Sequence, residues 1–217
     1  MTEMDERLTE AALDYVKALF ANEYSGHDFY HTLRVYRTAV RLAQEEGADA
    51  LVTALAALLH DVDDRKLSPE TCETKARAVA FLREQGADEA TIQRVVTILG
   101  EVSFRGTDSV VPSTVEGKCV QDADRLDALG AIGIARTFAY GGAHHRAMHD
   151  PEVPPETDMD AARYYANEAT SINHFYEKLL LLKDMMNTEA GKRLAEARDR
   201  YMREFLKEFL EEWEGNR

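Results

Sequence analysis

The stretch Leu55-Ala-Ala-Leu-Leu-His60-Asp61-Val-Asp63-Asp64-Arg65-Lys66 decides how this chain reads. It closes an almost wholly apolar run from Ala50 to Leu59, which demands burial, and it ends abruptly in a histidine, an aspartate and two further acids. An imidazole and a carboxylate at the inner end of a buried helix need a compensating partner, because an unpaired buried charge is too costly to keep. A metal ion is the economical candidate. His31 and the acid-rich Asp122-Ala-Asp124-Arg125-Leu-Asp127 supply the donors that would complete one site.

Outward from that run, Gly47 ends the preceding helix and Asp49 can cap the buried one. The preceding helix, about Asp28 to Glu46, carries Leu33, Tyr36, Val40 and Ala43 on one stripe, with His31 near its start. Before it, Leu8, Ala12, Tyr15, Val16, Leu19 and Phe20 recur at helical spacing and predict a first amphipathic helix, broken at Asn22 to Gly26. Downstream, Ser68-Pro69-Glu70 reads as a cap with proline in the first turn of a helix running to Gly86. Asp88 opens another, to about Glu101, and Val102 to Val111 reads as a loop. Ser113-Thr-Val-Glu116 is a capping-box sequence that starts the helix of Asp122, Asp124 and Asp127, continued or restarted after Gly130 to Tyr140.

Gly141 to Asp158 is the long irregular segment, with His144, His145 and His149, which read as exposed. Helices over Ala161 to Met186 and Thr188 to Trp213 close the chain, the last with an aromatic stripe of Tyr201, Phe205, Phe209 and Trp213 suited to core or to dimer contact. With no alternating strand pattern, the expected fold is a single all-α domain over 1–217. Its motif-bearing core spans about 27–140, its loop 141–158, and 160–217 forms the completing helices.

The chain has 217 residues, 45% of them apolar, enough for a sizeable core. Its 40 acidic and 26 basic residues leave a net charge of −14 with no basic tail, which argues against duplex nucleic acid as a partner. No run approaches membrane-span length, and the N-terminus lacks the basic and apolar segments of a signal peptide. Cys72 and Cys119 stand far apart in no metal-binding spacing, as expected of a reduced cytoplasmic protein.

Two imidazoles and two carboxylates make a mixed nitrogen and oxygen donor set, suited to manganese, iron, cobalt, nickel or zinc. Four protein ligands on a six-coordinate ion leave two positions for water and a substrate oxygen, which is what a metal-dependent hydrolase needs. Asp127 lies one turn from Asp124 and is its rival as the fourth ligand.

At this point the sequence resembles a known family. His31, His60-Asp61 and Asp124 look like the H…HD…D pattern of the HD-domain metal-dependent phosphohydrolases, an all-α superfamily. Four stretches are similar to the YpgQ-like nucleotide pyrophosphohydrolase branch: His27 to Val35, Leu58 to Lys66, Asp122 to Arg136, and Asn173 to the leucines after Lys178. The resemblance implies one divalent cation, manganese foremost with magnesium as a further candidate, held by His31, His60, Asp61 and Asp124. It implies Asp64 as the acid that assists proton transfer, with Asp63 as the weaker candidate. The cations inside the matching motifs, Arg34, Arg65, Lys66, Arg125 and Lys178, would meet phosphates, with Asp127, His174 and Tyr176 nearby as further substrate contacts.

The implied reaction splits a (deoxy)nucleoside triphosphate into monophosphate and pyrophosphate. A nucleotide phosphomonoesterase or phosphodiesterase, and a non-catalytic nucleotide-binding regulator, remain as alternatives. A two-iron oxygenase on the same fold would need extra histidines around the HD pair, of which His27 is the nearby one. A homodimer is compatible with the aromatic stripe.

Overall fold

The computed structural model describes residues 2–21, 28–64 and 68–217. Among them are ten α-helices, one 3₁₀ helix and no strand; an isolated bridge joins Arg105 and Thr107. The all-α expectation holds. The chain divides into two compact units, Met1–Ser103 with Ser109–Asp124, and Phe104–Asp108 with Arg125–Arg217.

In the first unit, α1 (Glu3–Leu19) opens earlier than its apolar stripe suggests, because Thr2 and Asp5 form a reciprocal capping box. The next helix, α2 (Phe29–Glu46), is capped by Asp28 and stopped by Gly47 in the left-handed conformation. The short α3 (Ala50–Leu59) is buried on every side from Val52 to Leu59 and packs against α1, α2 and α5 (Glu89–Glu101). A helix apolar all round can only sit inside, and this one is the centre of its unit. Its cap, Asp49, accepts from the Leu51 and Val52 amides and pairs with Arg94. Although partial burial opposes it, those bonds hold the Asp49 carboxyl below its usual range.

The fourth helix corrects the sequence reading. Residues 68–75 form turns and α4 spans only Ala76–Glu84. Ser68 does not cap a helix: its hydroxyl donates to the Val62 carbonyl at 3.0 Å. Lys75 then takes a left-handed φ of 53°, which no helix interior accepts. Asp63, far upstream, supplies the cap instead.

From α6 (Val115–Asp127) the chain turns through Gly130 into α7 (Gly130–Ala143), which takes the first residues of the segment expected to be irregular. The expected long helix over Ala161 to Met186 is instead three pieces: α8 (Ala161–Ala166), α9 (Ser171–Glu177) and the 3₁₀ helix Leu179–Met185. Asn167 is extended and bonds the Ala169 amide through its own side chain, and Thr170 caps a new start. In this second unit Gly106, at φ +60°, lies so close to the Met159 carbonyl that a Cβ there would sit 2.1 Å from its oxygen.

The last helix, α10 (Glu189–Trp213), packs against α7 and the 3₁₀ helix. Half-buried Phe205 and Phe209 join Phe138 and the buried Phe175 in an aromatic cluster. His149 meets the Trp213 ring edge-on at 5.0 Å, whereas His144 and His145 are exposed.

Candidate metal centre

All four donors singled out in the sequence lie in the first unit, on α2, on α6 and in the turn that closes α3. His31 sits in the first turn of α2, where the Asp28 cap takes its backbone N–H at 2.7 Å. His60 is the residue at which α3 ends, and Asp61 follows it in a tight turn. Asp124 sits in the last turn of α6. Their reacting atoms converge. Nε2 of His31 lies 3.2 Å from Nε2 of His60, 3.4 Å from Oδ2 of Asp61 and 3.4 Å from Oδ1 of Asp124. Nε2 of His60 lies 3.3 Å from Asp61 and 3.8 Å from Asp124.

These distances can be compared with coordination geometry. Donors about 2.1 Å from one ion stand about 3.0 Å apart along an octahedral edge and about 3.4 Å apart in a tetrahedron. The observed spacings fall in or just above that interval. Side-chain exposure is 1% for His31, 3% for His60 and 8% for Asp61, but 30% for Asp124, so the cluster is closed on three sides and open at Asp124.

The tautomer of His60 is set by its other nitrogen. Nδ1 lies 2.8 Å from the Ala57 carbonyl, which can only accept, so Nδ1 carries the proton and a neutral ring presents its Nε2 lone pair to the cluster. Without a cation, burial opposes an imidazolium here. The charge and hydrogen bond of Asp61, with Asp124 and the Ala57 carbonyl, outweigh it and push His60 up to about 10.

A consequence can be measured. With its pKa raised, His60 should hold a second proton at pH 8 in the ion-free protein, and an ion must displace it to reach the lone pair. Manganese binding should therefore release about one proton per chain from this residue, and apparent affinity should rise with pH up to about 10. Calorimetric titration in buffers of different ionisation enthalpy reads that proton directly; binding with no proton release would mean that His60 is already neutral in the ion-free protein.

The other predicted residues fare differently. Both carboxylate oxygens of Asp63, 1% exposed, accept from the Arg77 and Ala78 amides at the start of α4. Asp64 is half-buried, and its amide donates to the Asp61 carbonyl at 3.1 Å. Arg34 is half-buried on α2, one turn beyond His31, whereas Arg65 and Lys66, like His27, lie outside the described residues.

In the second unit, Arg125 is buried and donates to the Met185 carbonyl. Asp127 accepts from Arg136 at 2.7 Å, which commits the rival ligand to an ion pair. His174 and Tyr176 lie on α9, but that helix ends at Glu177, so Lys178 does not share a helix face with His174. The Lys178 ammonium instead rests over the Phe104 ring at 4.8 Å and the Tyr164 ring at 5.5 Å. That aromatic seat is not legible in the sequence, because its two rings lie far apart along the chain.

The chain's relatives bear on this arrangement. The HD domain family matches residues 28–129. YpgQ of Bacillus subtilis (strain 168) is 36% identical over 207 residues, covering 93% of this chain and 91% of YpgQ. The chain belongs to the HD-domain superfamily, in its YpgQ-like branch. The HD fold is shared throughout: a Lactobacillus plantarum crystal structure aligns at 37% identity with a TM-score of 0.87 over 99% of both chains. An HD-superfamily hydrolase of Bacillus thuringiensis aligns at 42% identity and 0.75, over 97% of this chain and 98% of that one. YpgQ has itself been solved in complex with ADP; that structure aligns at 0.73 over 92% and 96% of the two chains. This HD protein is a metal-dependent phosphohydrolase, and among its described residues His31, His60 and Asp124, each within 4.8 Å of the others, form the cluster able to hold the ion, with Asp61 against both histidines.

Proposed function

We propose that this HD protein hydrolyses (deoxy)nucleoside triphosphates to monophosphate and pyrophosphate, using one divalent cation held by His31, His60, Asp61 and Asp124. The observation that carries the reading is the convergence of these four donors within 3.2–3.8 Å of one another's histidine nitrogens, open to solvent at Asp124. The ADP bound to YpgQ supports a nucleotide as the ligand class. A divalent cation bound there supplies Lewis acidity toward a phosphoryl oxygen and toward water. Manganese is the ion to test first, since mixed imidazole and carboxylate donors suit it.

The chain's own residues do the rest. Water adds to the α phosphorus, the bridging bond to the β phosphate breaks, and pyrophosphate leaves. Asp64, three residues beyond Asp61 and half-buried, takes the proton that the water sheds. Arg34, Arg65 and Lys66 meet the polyphosphate charge, the guanidinium groups as bidentate donors and the ammonium as a point charge. In this reading Asp63 caps α4, Asp127 pairs with Arg136 and one N–H of Arg125 goes to the Met185 carbonyl. A reducing cytoplasmic setting goes with this reading. Both cysteines are free thiols, and burial, together with the nearby acids Asp122, Glu46 and Glu116, pushes Cys119 up to about 12 and leaves it inert.

Incubating the purified protein with manganese and each nucleotide, and measuring pyrophosphate and orthophosphate separately, tests the proposal. Pyrophosphate with monophosphate is the expected result. Orthophosphate alone would replace it with a phosphomonoesterase, and nucleotide binding without either product would replace it with a regulator. Asp64→Asn should lower kcat by about tenfold to a hundredfold with manganese content unchanged, less than the loss of a ligand causes. A variant as active as wild type would remove Asp64 from the reaction.

A further inference from the structure

We propose that Asp63 is a positioning residue for the metal centre, clamping the turn that carries His60 and Asp61 onto the first turn of α4; this rests on the metal-centre reading above. The hydrogen-bond ladder of α3 stops at Leu59, so nothing helical holds the next residues. Tight bonds from the Val62 amide to the Leu59 carbonyl, and from the Asp64 amide to the Asp61 carbonyl, shape them into a turn. That turn needs an external anchor to stay in one place.

Asp63 is the anchor. Its carboxylate is 1% exposed and takes the Arg77 amide at 3.3 Å and the Ala78 amide at 3.0 Å. The residue at the head of α4, Lys75, offers no side-chain cap, so those amides, orphaned by helix geometry, depend on Asp63. A carboxylate is also the favoured charge at a helix N-terminus. The bond is returned: Lys75, 7% exposed, donates its ammonium to the Asp63 carbonyl at 3.4 Å while its backbone stays left-handed at φ 53°. A lysine keeps that backbone only where its surroundings hold it. Ser68 fastens the same turn at a third point, donating to the Val62 carbonyl at 3.0 Å.

The carboxylate bonds of Asp63 go to the Arg77 and Ala78 amides, so it acts on the donors through the backbone it shares with Asp61, two residues away. Outer-shell residues bonded directly to ligands govern metal affinity by about tenfold to a hundredfold, and Asp63, acting through the backbone, should fall at the lower end. Asp63→Ala leaves two helix-start amides without their acceptor and frees the turn. Asp63→Asn keeps one acceptor oxygen for the Ala78 amide and should cost less.

The test reads the turn and the metal separately, well below the melting temperature of each variant. Hydrogen exchange of chelator-treated protein should quicken at the Val62, Asp64 and Ala78 amides in both variants and stay unchanged in the middle of α3. Manganese titration, read from the spin resonance of the free ion, should give a Kd raised about tenfold or more in Asp63→Ala and about threefold in Asp63→Asn. If Asp63→Ala does not fold, Asp63→Asn decides alone. Wild-type exchange rates in a folded variant overturn the clamp. Quickened exchange with unchanged manganese affinity overturns its role for the metal and leaves Asp63 a helix cap only. If wild type itself binds no manganese, the metal reading falls and with it the role proposed for Asp63, whereas the exchange result still decides whether the turn is clamped.

Discussion

His60→Ala should leave the chain folded, strip it of bound manganese after dialysis and lower phosphohydrolase turnover by about a thousandfold or more, a change of about 4 kcal/mol in the barrier. The size follows from where the ring stands. Nε2 of His60 faces the His31 nitrogen and the carboxylates of Asp61 and Asp124, and its Nδ1 is pinned to the Ala57 carbonyl, so no neighbour can substitute for it. The vacated volume leaves His31 with two carboxylates and one imidazole fewer, too few to retain the ion against dialysis. Asp61→Ala should behave alike, since its Oδ2 lies within 3.4 Å of both imidazoles. Metal analysis and product release on the same preparations check the expectation. Equal metal content in His60→Ala and wild type would contradict it.

Leu58→Ala should give the largest loss of stability, about 2–5 kcal/mol, and lower the melting temperature by roughly 5–20 °C for a chain of this size. Leu58 has no exposed surface, and it sits in the all-round buried α3 that α1, α2 and α5 enclose. Truncation there removes apolar burial and leaves a void that four packed helices cannot close without moving His60, two residues on. A calorimetric melt reads the effect. A shift of under 2 °C would mean that α3 is not the centre of its unit.

Much of this is legible in the residues alone. The run from Ala50 to Leu59 carries no polar face, which forces an interior helix, and the histidine and aspartate that follow it cannot be buried without a partner. Asp49 is legible as a cap because it stands one residue before the buried run, and Asp28 and Asp88, read as opening their helices, cap them as well. The choice of Asp124 over Asp127 was not settled by spacing, because the two share a helix face. In the structure Asp124 stands in the cluster with both histidines, whereas Asp127 pairs with Arg136, nine residues on.

What stayed hidden depends on contacts distant in sequence. Ser68-Pro69-Glu70 has the composition of a helix start, but α4 opens at Ala76 because its acceptor is Asp63, 15 residues before Ala78. Asp63 itself reads as a candidate acid beside Asp64, and only the two amides on its oxygens reveal it as an anchor. Likewise the bond from Arg125 to the Met185 carbonyl, 60 residues away, cannot be read from the motif around it. The break between α8 and α9 turns on one asparagine side chain bonding its own downstream backbone, a local competition that helical periodicity does not register.

Crystals grown with manganese and measured at a wavelength where that ion scatters anomalously test the metal centre most directly. A single strong peak about 2.0–2.4 Å from Nε2 of His31, Nε2 of His60, Oδ2 of Asp61 and Oδ1 of Asp124 is the predicted result. A peak bound by other residues, or no peak between these four groups, would contradict it.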